Sequence, residues 1–241
     1  MKERQVWEHL NKQKINSHTN VQWLIEAYSP EFSIELRVAI VERICVISKE
    51  GWANIHFLYH RFGFQPELIH AAGMCHQHGA RDWLIMQLNE QEEFQLKILQ
   101  ALACWGAYLP EALIQKALNQ PEQAIQLAGL ELLTYKAHQL SNTDLLEMTD
   151  KLLDDFREAI VIATIKILQR RDGIDICKAI ANVAKKGTDA SAYAAIMALG
   201  SIGSVHSTLV LSNLKDQLPT GKRLDLVNKQ LQHQYFTSKA C

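Results

Sequence analysis

Glycine and proline are scarce in this chain of 241 residues, at 11 and 5. Those counts are too low for a collagen-like sequence or for a β protein built on many tight turns. Charge of one sign is also missing, since 25 lysines and arginines meet 26 aspartates and glutamates for a formal charge of −1. A dedicated duplex DNA or RNA binder needs a basic excess to neutralise phosphates, so no nucleic-acid partner is expected. No 18 apolar residues run together. The most apolar segment, Ala159–Leu168, is broken by Thr164 and Lys166, so no membrane span is expected. The opening MKERQVWEHLNKQ carries charges with no apolar stretch behind them, and no secretory signal is read there.

Cysteine is present without a pairing pattern. Cys45, Cys75, Cys104, Cys177 and Cys241 are odd in number and widely spaced, and no CxxC occurs. The first four sit among apolar neighbours, as small buried side chains in a reducing compartment do, so a cytoplasmic location is expected.

What the chain does have is apolar content, 48%, which rules out a disordered polymer, and it is spaced for helices. Between Glu93 and Trp105 the apolar positions are Phe94, Leu96, Ile98, Leu99, Leu102, Ala103 and Trp105, a wide stripe at a period near 3.6. From Phe156 to Leu168 they are dense enough to require protein on both sides of the helix. No segment alternates long enough to make a strand. The fold class predicted is all-α.

Six segments share one outline of polar turn, apolar helix, short break and second helix. They begin at Ser33, Pro66, Glu92, Pro121, Asp155 and Asp189, which are 26 to 34 residues apart. A period near 30 suits a repeat of two short helices. Pro66, Pro110 and Pro121 are expected in the first turns of their helices, where a missing N–H costs nothing. Small residues in Ala101–Gly106 and Ala198–Gly203 would let neighbouring helices approach, and their glycines would supply the positive φ that stops a helix. The predicted architecture is an α-solenoid of about six helical hairpins over residues 33–218. Capping helices are expected over 1–32 and 219–241, with a loose tail from Phe236 to Cys241, the whole making a single domain.

This pattern resembles the HEAT family, and especially the HEAT-like repeats of phycobilisome bilin lyases. That repeat opens on an acidic turn residue and an apolar-Arg pair, matched by Asp155-Phe156-Arg157-Glu158-Ala159 and echoed by Leu36-Arg37-Val38-Ala39. Its close is matched by Ala198-Leu199-Gly200-Ser201-Ile202-Gly203. Gln95 and Gln126 stand where the family has arginine. Two functions are expected, the first from the stacked-hairpin architecture and the second from the resemblance. One is a scaffold that binds another protein through a concave face. The other is a bilin-lyase-type protein that handles a linear tetrapyrrole for a phycobiliprotein subunit. No cofactor is expected under the first, and a phycobilin under the second.

No catalytic residue is assigned, because neither GxSxG nor HExxH occurs and Gly200–Ser204 follows a helix and lacks the Lys-Ser/Thr of a phosphate loop. His56 and His60 are four apart on one helix face, and His70, Cys75, His76 and His78 lie in the next hairpin. Together they suit a transition metal only weakly, lacking a carboxylate-backed set, and they suit a partly exposed surface with Cys75 in the core equally well. No metal is assigned. If second helices line a groove, its candidates are Trp52, His56, Tyr59, His60, Arg81, Trp83, Gln115, Lys116 and Lys178, with Gln87 and Asn182 beside them. The aromatics place any binding hot spot in the N-terminal half. Trp83 and Trp105 serve equally as fillers between hairpins.

Overall fold

The 3.6-residue apolar period is obeyed throughout the structure, a computed structural model that describes residues 2–12, 20–47 and 50–238, the last four by backbone alone. Among the described residues there are helices and turns and no strand, and no helix is long and apolar enough to cross a membrane. The chain divides into two compact units, Met1–Gly106 and Ala107–Cys241.

The first unit holds α1 (Glu3–Lys12), α2 (Val21–Ala27), α3 (Ile34–Ile47), α4 (Gly51–Phe62), α5 (Pro66–Met74), α6 (His78–Glu90) and α7 (Gln95–Leu102). Helix α3 packs on α2, α4 and α5, and α5 packs on α6 and α7. Leu10, Leu24, Leu36, Ile40, Ile44, Ile55, Leu58 and Leu68 form one core with no more than 2% of any of them exposed. Burying each such side chain contributes about 1.5–3 kcal/mol before entropy is counted. Gly73 sets how closely α5 approaches α7, since a Cβ there would lie 2.8 Å from the Ala101 carbonyl oxygen.

The second unit holds α8 (Glu111–Leu118), α9 (Gln123–Lys136), α10 (Asn142–Leu153), α11 (Glu158–Leu168), α12 (Ile174–Lys186), α13 (Asp189–Ile202), α14 (Val205–Gln217) and α15 (Lys222–Ser238). Contacts run along α9, α11, α13 and α15, and along α10, α12 and α14. Ile160 and Thr164 of α11 and Ala192, Ala195 and Leu199 of α13 are completely buried. Their small or branched shapes fit between helices on both sides. Gly203 ends α13 in the left-handed region at φ 63, as its place in the repeat predicts.

Hydrogen bonds also link residues 28 to 36 positions apart in both units. In the first unit, Arg37 Nη1 donates to Gln65 Oε1 at 3.0 Å. In the second, Arg157 Nη1 donates to the Pro121 carbonyl at 2.7 Å, and Arg157 also bonds Gln126. Arg171 Nη2 donates to the Leu140 carbonyl at 2.8 Å, Asn142 Nδ2 to the Asp172 carbonyl at 2.7 Å, and Ser204 Oγ to Asp172 Oδ1 at 2.6 Å. Arg223 Nη2 reaches both the Gly187 carbonyl and Asp189 at 2.9 Å. Carbonyl oxygens in the turns between helices are satisfied in this way.

Four expectations need correction. Pro66 opens α5 as expected, but Pro110 is the cap residue before α8, with ψ 137, and Pro121 stands two residues ahead of α9. Both prolines set an extended approach to the helix instead of its first turn. Cys104 is exposed, because it falls in the tight turn after α7 and off that helix's buried face, whereas Cys177 is buried. Helix α15 continues to Ser238, into the segment expected to be loose, since no glycine or proline interrupts it. Cys241 lies outside the described residues.

Candidate functional site

Trp52, His56, Tyr59 and His60 recur at spacings of four, three and one along α4, so they share one side of the helix. The rings are in contact. His56 stacks on Trp52 at 4.9 Å between centroids, and His60 meets His56 edge-on at 4.3 Å. Trp52 and Tyr59 converge on Trp83 of α6 at 5.4 and 5.2 Å. Phe64 and then Phe94 extend the cluster at 6.2 and 5.0 Å. Trp83 is 5% exposed, so its ring packs between helices and offers little open surface, and among the described residues its indole N–H has no partner. What faces outward is His60, half of His56, and Phe57, which is 51% exposed one residue along.

Burial pushes the His56 imidazole below the usual histidine value, and the neighbouring His60 pushes it the same way. A base whose folded pKa is depressed keeps its full contribution above the unfolded value of about 6.5 and loses it as pH falls from there through the folded pKa. The melting midpoint of the first unit is therefore expected to fall between pH 7 and the His56 titration, and to fall less in His56→Gln. Paired thermal melts followed by circular dichroism check this, and equal pH slopes in both proteins would remove His56 as the cause.

The remaining histidines do not gather around one point. His70 Nε2 faces Glu42 Oε1 at 3.3 Å, His76 and His78 lean on Trp105 at 5.9 and 6.3 Å, and Cys75 meets Cys45. Among the described residues no three His, Cys, Asp or Glu side chains converge to hold a metal ion. Arg81 is half-buried and turned onto its neighbour Asp82, with Nε and Nη2 at 3.0 and 2.9 Å from Oδ1. Gln87 is fully buried and donates to Glu90 at 3.2 Å.

In the second unit, Lys178, Asn182 and Lys185 of α12 face Leu209, Asn213 and Gln217 of α14 across a shallow groove. Two ammonium groups and three amides give it a positive, donor-rich floor, and Leu209, 53% exposed, adds an apolar contact. Gln115 and Lys116 are exposed on α8 and do not line this groove. Trp52, His56, Tyr59, His60 and Trp83 therefore belong to one ring cluster and Lys178 to a basic groove on α12 and α14, while Arg81, Gln115 and Lys116 join neither.

No protein-family model matches the chain, and no curated protein matches it. Reading the sequence alone missed Phe57, the α14 side of the basic groove and the contact of Cys45 with Cys75. For the cysteines a signal existed, because they are 30 residues apart, about one repeat.

Proposed function

We propose that this chain is a HEAT-like helical-repeat scaffold whose work is to bind another protein, without catalysis. In this reading each unit is a stretch of α-solenoid, the six hairpins lie within residues 33–218, and α4, α6, α8, α10, α12 and α14 supply the inner faces. One observation carries it. Cross-hairpin hydrogen bonds recur at offsets near a repeat length, 28 residues for Arg37 with Gln65, 31 for Arg157 with Gln126 and 30 for Asn142 with Asp172. Two of these residues, Arg37 and Arg157, are the arginines in the apolar-Arg pairs of the HEAT resemblance, and they clamp neighbouring hairpins in both units. Stacked hairpins within a unit bind by shape and by a few anchors, and ring-bearing side chains are the usual anchors.

The α4 face is the proposed docking site, and Phe57 and His60 are its anchors. The double variant Phe57→Ala/His60→Ala is expected to weaken partner binding by about tenfold or more, the cost of losing hot-spot contacts. Its melt should stay close to the parent's, because both side chains are exposed. Affinity purification from the native source identifies the partner, and titration of the variant against it gives the ratio. No partner above background, or equal affinity for the variant, would defeat this assignment. The second reading, a tetrapyrrole-handling protein of the bilin-lyase type, predicts a shifted visible spectrum when phycocyanobilin is added, and the scaffold predicts an unchanged one.

A further inference from the structure

The thiols of Cys45 and Cys75 meet between two helices that are far apart in sequence. Cys45 lies in the last turn of α3, and Cys75 is the residue that caps α5. Their Sγ atoms are 3.4 Å apart, and Cys45 Sγ also reaches the Ala71 carbonyl at 3.3 Å. Both side chains are half-buried, so small reagents reach them while bulk solvent is limited. Gly51, the first residue of α4, closes over the pair. A Cβ there would lie 3.3 Å from Cys75 Sγ and 3.4 Å from Cys45 Cα, so glycine leaves the room in which the two sulfurs touch.

We infer that Cys45 and Cys75 form a reversible disulfide that staples α3 to α5, made and unmade by exchange with a low-molecular-weight disulfide such as oxidised glutathione. The sulfurs need to close by about 1.4 Å to reach the bond length of roughly 2.0 Å. Cys75 is the end residue of α5, its N–H bonded to the Ala71 and Ala72 carbonyls, and the chain turns away at His76, φ 50, so the closing movement is side-chain rotation at a helix end. The Cys45 thiol lies within hydrogen-bonding distance of a thiolate on Cys75, and this contact holds the Cys75 pKa below the usual cysteine value against the effect of burial. On this direction Cys75 attacks first, and the linked product is the same if Cys45 does. The Cys75 thiolate displaces one glutathione thiolate from the reagent, leaving a mixed disulfide on Cys75. Cys45 then gives up its proton, and its sulfur attacks Cys75 Sγ and expels the second glutathione thiolate. Two protein thiols and one glutathione disulfide become one protein disulfide and two glutathione thiols, and excess reduced glutathione reverses both steps.

The test uses the full chain, equilibrated in glutathione buffers from reducing to oxidising at pH 7.5, quenched in acid, alkylated and mapped as peptides. The expected result is a linked pair of peptides containing Cys45 and Cys75, lighter by two hydrogens, absent under reducing buffer and abolished in Cys75→Ala. The same oxidised protein should melt at a higher temperature than the reduced one, with the gain lost on adding dithiothreitol, because the link closes the chain between the two helices in the unfolded state. Cys104→Ser/Cys241→Ser, which removes the exposed and terminal thiols, should keep the linked peptide. Recovery of Cys45 and Cys75 both alkylated in the oxidising buffer, or of glutathione on Cys104 and Cys241 alone, would overturn the inference. The wild-type peptide map is decisive whether or not the alanine variant folds.

Discussion

Substituting aspartate for Leu102 is expected to abolish the cooperative melt of the Met1–Gly106 unit. Leu102 is fully buried at the end of α7, which packs on α5 and α6. The buried side chains of those two helices include Leu68, Ile69, Ala72, Leu84 and Leu88. Truncating a core leucine costs about 2–5 kcal/mol through lost contacts and a residual cavity. A carboxylate adds a desolvation cost of several kcal/mol, or must take up a proton to avoid it. A domain of this size is stable by about 5–15 kcal/mol in total, so the sum approaches or exceeds the whole margin. Leu102→Met conserves volume and polarity and should cost less than about 1.5 kcal/mol. Circular dichroism melts, with hydrogen exchange read on peptides from α5 to α7, make the comparison. A parent-like melt and parent-like protection in the aspartate variant would mean that α7 does not turn this residue into the core.

The helices were legible because a buried stripe at 3.6 residues leaves few other readings. All six segments that begin at Ser33, Pro66, Glu92, Pro121, Asp155 and Asp189 contain a helix, each followed by a second one. Helix ends were less legible. Pro110 and Pro121 carry the same local signal as Pro66, yet only Pro66 begins a helix: Pro110 is a cap residue, which shares a first-turn residue's φ and differs in ψ, and Pro121 stands before the cap Glu122. Nothing in the chain marks Gly106 as the edge of a compact unit. Glycine and proline near it are the same turn signals that separate hairpins elsewhere.

The candidate site divides in the same way. That His56 and His60 share a face follows from four-residue spacing, and the structure places their rings in contact. Whether Trp83 faces solvent or core cannot follow from spacing, because an aromatic on an amphipathic helix fits either. Its burial comes from Trp52 and Tyr59 of another helix. Lys178 and Asn182 were readable as an exposed stripe, while their facing residues on α14 depend on how two helices pack. Glu67 is the clearest case of what spacing hides. As the residue after Pro66 it reads as an ordinary acidic first-turn residue, yet it is 2% exposed.

Glu67→Ala is expected to destabilise the first unit by about 3–5 kcal/mol, the usual cost of removing one partner from a buried ion pair. Glu67 Oε1 faces Arg37 Nη1 at 3.1 Å and accepts the hydroxyl of Tyr28, which is 3% exposed. Alanine would leave a half-buried guanidinium with Gln65 but no counter-charge, and a buried phenol without its acceptor. Burial, and next the hydrogen bond to Glu67, push the Tyr28 hydroxyl far above its ordinary value. Its share of stability is thus complete below about pH 10 and declines as pH rises above that, because the unfolded chain loses the proton first. Glu67→Gln keeps an acceptor and should cost less than alanine, and Tyr28→Phe should flatten the alkaline decline. Among the described residues Arg37 Nε and Glu67 Oε2 have no hydrogen-bond partner, so the pair is not a fully compensated network. Its cost on breaking therefore reflects stranded polarity more than net attraction. On that argument Arg37→Met/Glu67→Leu, which removes both charges, should recover most of what Glu67→Ala loses. Urea unfolding of Glu67→Ala and of the double variant decides it. A double variant as unstable as Glu67→Ala would mean that the ion pair itself holds α3 to α5, and recovery would mean that it selects their register while apolar packing holds them.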